Sequence, residues 1–213
     1  MAWIWNALLS KLPGGRSLRL LAALFPAVAE SDLQAVLATL PADTVTQLKV
    51  AGQYARLITW RGSALALPYR IYFPEVAPGQ VASLTSGQRQ VLHCLYLRHH
   101  NGYVRQRHLE ALFALSTGEP ADFTTPFTCS LLGEYVQEIL EVLAQHVTPA
   151  LEASYVQLIR ENPLYWQQTQ GRVASYWDGY YRIRKRGAPR FRHYVGARIL
   201  ARLQQACRRA AEK

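Results

Sequence analysis

The feature that most narrows what this chain can fold into is a punctuation of its second half. Thr125-Pro126, Thr148-Pro149 and Asn162-Pro163 each stand at the head of an amphipathic run. A Thr or Asn before the first turn accepts a hydrogen bond from a free backbone N–H, and a proline just inside loses nothing by lacking one, so each pair predicts a helix start. The first of these helices is expected to run unbroken to about His146. Thr85 with Gln88 forms a capping box for a helix reaching about His99, and Asn101-Gly102 separates it from a helix over "YVRQRHLEALFAL". A last helix is expected from Tyr194 to near Ala210, after the Gly187-Ala188-Pro189 break. The N-terminal third reads as helices over 2–12, 17–29 with an interruption at Pro26, and 32–40.

One stretch has a different period. In "SALALPYRIYF", Leu65, Leu67, Tyr69, Ile71 and Phe73 alternate with Ala64, Ala66, Pro68, Arg70 and Tyr72, as in a half-buried strand. Its partner is "QYARLITW" through a turn at Arg61-Gly62, with Pro68 at an edge or bulge because it cannot donate a ladder bond. A lone hairpin must lean on helices. The expected fold is therefore mainly α: a compact helical domain, bundle or short helical repeat, of about eight helices with one β-hairpin near 53–73.

Two resemblances accompany this reading. Tyr103-Val104 in "GYVRQRHLEAL" and Tyr135-Val136 in "EYVQEILEVL" lie 32 positions apart, each at the start of an amphipathic run, which resembles HEAT-type helical hairpins. The phrases "RHHNGYVRQRHLEAL", "FTCSLLGEYVQEILEVL" and "RVASYWDGYYR" are similar to a family of uncharacterised bacterial proteins. That likeness implies a bacterial cytosolic protein and transfers no catalytic residue.

Charge is sharply segregated. Between Gly179 and Ala211 stand nine arginines and Lys185 with no acidic residue, whereas 1–178 carry 13 basic and 13 acidic residues, so the net charge of +10 belongs to the C-terminal segment. The chain accordingly divides into a neutral helical core with a hairpin insertion, 1–178, and a basic helical segment, 179–213, packed on the same domain. Cys94, Cys129 and Cys207 are odd in number and widely spaced, which fits a reducing, cytoplasmic setting. No secretory leader or membrane-spanning run is legible. Trp3, Ile4, Leu8 and Leu12 would share one face of the first helix, which leaves a membrane-surface contact as the membrane reading.

The basic segment begins with "YYRIRKRGAPRFRHY". Arg182, Arg184, Lys185, Arg186, Arg190 and Arg192 are candidates for phosphate contacts, and Tyr181, Phe191 and Tyr194 for stacking on bases. The preceding helix carries an aromatic face including Trp166 and Trp177, a candidate partner surface, in which Gly171 and Gly179 suggest close packing against another backbone. Glu134, Glu138 and Glu141 fall on one solvated face of the helix expected from Pro126, and they offer the cations an internal docking site.

Catalytic patterns are missing. There is no phosphate-binding glycine loop and no nucleophile elbow, and no cofactor is expected. The histidines of "HCLYLRHH" have no i, i+4 pair, so a metal site would have to join His99 or His100 to His108 across the Asn101-Gly102 break. The leading expectation is a non-enzymatic binding protein whose basic, aromatic C-terminal surface engages nucleic acid or another polyanion. The alternatives are a helical scaffold whose basic segment docks on an acidic protein surface, and an enzyme of unrecognised type.

Overall fold

A computed structural model of the protein describes residue 21 and residues 23–40, 49–50, 55–115, 120–183, 187 and 190–212. The expected helices over 2–12 and the first part of 17–29, with Trp3, Ile4, Leu8 and Leu12, lie outside the described residues, as do Arg184, Lys185 and Arg186. The fold is mainly α with an antiparallel hairpin. The chain forms two compact units, Met1–Leu115 and Ser116–Lys213, so the charge boundary at 178/179 falls inside the second unit.

In the first unit a 3-10 turn after Pro26 leads into α1, Glu30–Thr39. Strands β2, Arg56–Trp60, and β3, Ser63–Leu67, pair from Arg56↔Leu67 to Trp60↔Ser63. Arg61 and Gly62 both have positive φ, 48° and 76°, which is the two-residue turn that matches strand twist. The strand is shorter than the alternation predicts. It stops at Leu67, and the backbone through Pro68–Arg70 changes the facing: Tyr69 is exposed and Arg70 is buried. Ile71–Tyr72 (β4) then pairs with Lys49–Val50 (β1) in a second two-stranded ladder.

After a single turn of helix, α2, Pro78–Ala82, come α3, Ser86–Tyr96, and α4, Gly102–Leu115. The Thr85–Gln88 capping box forms as read, with Gln88 N donating to Thr85 Oγ1 and Thr85 N to Gln88 Oε1. Helix α3 packs against both α1 and α4. Three arginines are buried here as tethers for backbone carbonyls. Arg105 Nη1 donates to the His99 and His100 carbonyls beyond the end of α3, at 2.7 and 3.0 Å. Arg98 donates to Pro68 O and Tyr69 O, and Arg70 to Tyr69 O. A guanidinium is affordable in the interior only when its fork finds acceptors, and the irregular backbone between β3 and β4, for Arg70 and Arg98, and after α3, for Arg105, supplies them.

The second unit corrects the expected long helix. From Thr125 the helix α5 extends only to Ser130, passes into a 3-10 turn Leu131–Gly133, and breaks over extended residues before α6, Gln137–His146. Tyr135-Val136 therefore precedes a helix while Tyr103-Val104 lies inside one, so the two similar phrases occupy different structural positions. Thr148 caps α7, Pro149–Glu161, by accepting from Leu151 N at 3.1 Å. Asn162 does not repeat that device. Its side chain turns back to donate to Leu158 O, ending α7 while Pro163 opens α8, Pro163–Tyr176.

Helix α8 continues into a π-helical turn, Trp177–Arg182, whose widened pitch shows in the bond from Ile183 N to Asp178 O, five residues back. Gly187, with φ 80°, turns the chain, and α9, Val195–Ala211, returns across α6, α7 and α8. Phe127, Leu131, Ile139, Leu143, Tyr155, Leu158, Val173 and Leu203 form the core between them. Gly196 allows the close crossing, since a Cβ there would stand 2.8 Å from Tyr194 Cε1 and 3.0 Å from Val173 Cγ1. Gly171 and Gly179 have nothing within 4 Å of such a Cβ, so the close packing expected at those two is absent.

Candidate functional site

The π-helical turn organises an aromatic surface in the second unit. Among the described residues of that unit the large apolar side chains left exposed are Tyr135, Leu164, Tyr180, Ile183 and Phe191, and all but Leu164 belong to this turn or to the segments beside it. Tyr180 stacks on Tyr135 at 4.9 Å between ring centroids and 18° between planes, and Tyr176 meets both edge-on. Phe191 stands edge-on to Trp177 at 5.4 Å, and the Arg182 guanidinium lies 5.9 Å from the Trp177 ring.

Tyr181 anchors the arrangement from beneath. Its hydroxyl donates to the Tyr135 carbonyl at 2.6 Å and its ring lies against that of Tyr194 at 5.1 Å. Burial, with Glu138 nearby, raises the Tyr181 pKa, and burial also raises that of Tyr194, so both phenols stay protonated. Two of the three expected stacking residues, Tyr181 and Tyr194, are therefore core, with only 9% and 2% exposure. Phe191 is exposed as the expectation requires. Tyr135 and Tyr180 are the exposed rings beside it; helical spacing puts Tyr180 on the aromatic face with Trp166 and Trp177 but does not tell which of these rings stay exposed, because the α-to-π change and the break before α6 both shift the facing of the rings.

The cations divide into two sets. Glu152 on α7 accepts from Arg202 Nε at 2.6 Å and from Arg209 Nη2 at 2.8 Å, and Arg182 pairs with Asp178 one turn earlier. Glu152 thus gives two cations of the basic segment an internal partner. Glu134 is buried, outside the helix that carries Glu138 and Glu141, so the three do not share a solvated face. Glu141 and Arg198 line a pocket of about 400 Å³ with His193 and Tyr194. Trp166, at 9% exposure, is a core residue, and Trp177 is half-buried. Arg190 and Arg192 are exposed, and among the described residues no carboxylate pairs with them.

The first unit contains a second cluster. His93 on α3 and His108 on α4 approach with Nδ1 atoms 2.7 Å apart, and Glu75 Oε2 lies 3.5 Å from His108 Nε2. Tyr96 stacks on the His108 ring at 4.0 Å, and Arg107 donates to both Glu75 oxygens. Burial holds both histidines down to about 4, against the pull of Glu75 on His108, so the pair is neutral at pH 7 and one proton lies between the two rings. His99 is not part of it. Its Nε2 faces Phe73 O at 2.9 Å and its Nδ1 accepts from Asn101 N, which uses both nitrogens. Among the described residues no group of three or more His, Cys, Asp or Glu is placed to hold a metal ion. Cys94 and Cys129 are buried free thiols, and burial raises the pKa of each, so neither is a poised nucleophile. No helix among the described residues is long and apolar enough to cross a membrane.

Comparison of the chain with protein-family models, with curated proteins and with solved structures finds no match in any of the three. The functional reading consequently rests on the chemistry of these two clusters.

Proposed function

We propose that the protein binds nucleic acid, or a polyanion of like charge, through the surface formed by the π-helical turn and the start of the basic segment. The observation that carries this reading is the exposure, in the π-helical turn and the segments beside it, of rings at Tyr135, Tyr180 and Phe191 together with arginines at Arg190 and Arg192, which no described carboxylate holds. A patch of rings alone would suit an apolar partner, and arginines alone would suit solvent. Together they supply phosphate contacts and ring faces, the two components of a sequence-tolerant grip on nucleic acid. Arg184, Lys185 and Arg186, which stand between Tyr180 and Arg190 in the sequence, add charge of the same sign. Arg202 and Arg209, held by Glu152, belong to the scaffold rather than to the grip.

The test is retention on heparin and on immobilised DNA at low salt, followed through a salt titration. Affinity is expected to fall steeply with salt, and Arg190→Gln with Arg192→Gln is expected to flatten the log–log slope by about 1.5 for two lost contacts. Passage through both matrices without retention at low salt overturns the reading. Capture of an acidic protein that survives the two substitutions would favour a scaffold instead.

A further inference from the structure

We infer that this surface takes unpaired bases, making a single-stranded nucleic acid its ligand in preference to a duplex; the inference rests on the polyanion reading above and narrows it. In a duplex the base faces are closed against one another, and a protein surface meets phosphate, sugar and base edges. Only an unpaired strand offers planar faces to stack on rings.

The rings are presented as such a ligand requires. Tyr135 and Tyr180, at 40% and 39% exposure, already lie face to face at 18°, an arrangement that a third planar ring can extend. Phe191, at 36% exposure, is braced edge-on by Trp177, which leaves its ring held without being covered. The support is rigid. Tyr181 fastens the Tyr135 backbone to the turn that carries Tyr180, so the two partners of the stack are positioned by one buried hydroxyl. Pre-organised rings lose little freedom on binding.

Charge argues against an apolar protein as occupant. Arg190, Phe191 and Arg192 are all exposed, so cations and a ring are offered together at one short 3-10 turn. Guanidinium groups also stack on bases, so both kinds of residue serve the same ligand.

The experiment measures fluorescence anisotropy with labelled oligo-dT and oligo-U of about 20 nucleotides, long enough for a site of this class, against a duplex of equal length and heparin as a polyanion without bases. At equal salt the single strands are expected to bind at least about five-fold tighter than the duplex. Tyr180→Ala with Phe191→Ala is expected to weaken the strands about ten-fold or more, leave duplex and heparin affinity within about two-fold, and be rescued at the first position by Tyr180→Phe. The preferred oligonucleotide assigns DNA or RNA. Equal affinity for strand, duplex and heparin, unmoved by the double substitution, overturns this inference while leaving polyanion binding in place. No binding to any of them at low salt overturns polyanion binding itself. Photocrosslinking of oligo-U to the unaltered chain removes any dependence on the variants folding: adducts on Tyr135, Tyr180 or Phe191 support the inference, and adducts elsewhere overturn it.

Discussion

Acid should weaken the first unit through one identifiable pair of side chains. His93, which is buried, and His108, which is half-buried, share a proton across 2.7 Å, and both are held near 4 rather than the usual 6.5. The folded state therefore binds fewer protons than the unfolded chain wherever the pH lies between those values. Their stabilising contribution is complete above about 6.5, declines as the pH falls, and is exhausted below about 4. A depression of this size corresponds to about 3 kcal/mol for the first proton taken up. The second adds less than an equal amount, because repulsion between the two imidazolium rings is already part of the lowered values. The groups facing the pair are Glu75, Arg107, Tyr96 and His99 around His108, and Arg89 near His93; burial lowers the pKa of His99 as well, so it adds to the loss in the same direction. Glu75, whose own pKa is lowered, chiefly by Arg107 working against partial burial, loses its contribution only at lower pH, which leaves the upper part of the window to the histidines. Urea unfolding followed by far-UV circular dichroism between pH 7.5 and 4.5 should show this loss, and His93→Leu with His108→Phe should flatten the profile. Parallel profiles for the two proteins, or resonances of the His93 and His108 imidazoles titrating near 6.5 in the folded state, would refute the reasoning.

Two further outcomes test the packing. Gly196→Ala should destabilise by about 1–3 kcal/mol, because its methyl would stand 2.8 Å from the Tyr194 ring, whereas Gly171→Ala, with open space around it, should stabilise by about 1 kcal/mol through helix propensity. Thermal melts of the two variants should move in opposite directions. Arg105→Met should cost about 3 kcal/mol, since it leaves the buried His99 carbonyl and the partly buried His100 carbonyl without their charged donor. A shift in the denaturant midpoint at unchanged slope checks it, and stability equal to the parent protein would show that the two carbonyls find other donors.

Local signals were legible because their physics is local. The Thr85 and Thr148 caps and the Arg61-Gly62 turn each involve a few neighbouring residues whose conformational preferences survive in almost any tertiary setting. The failures share a different cause. Periodicity assumes that one helix type continues. The break over Glu134–Val136 removed Glu134 from the face of Glu138 and Glu141, and the α-to-π change after Tyr176 turned Tyr181 inward and Tyr180 outward.

The sequence by itself determined that the chain is predominantly helical with a hairpin, and that its positive charge lies beyond residue 178, since propensity, capping and charge are properties of residue types and their spacing. Tertiary structure alone decided which charges and rings remain available. Glu152 reaches Arg202 and Arg209 across 50 and 57 positions, Tyr181 reaches Tyr135 across 46, and His93 meets His108 across 15. Such pairings depend on how helices cross, and a helix crossing is settled by the sum of many small packing contacts rather than by any motif.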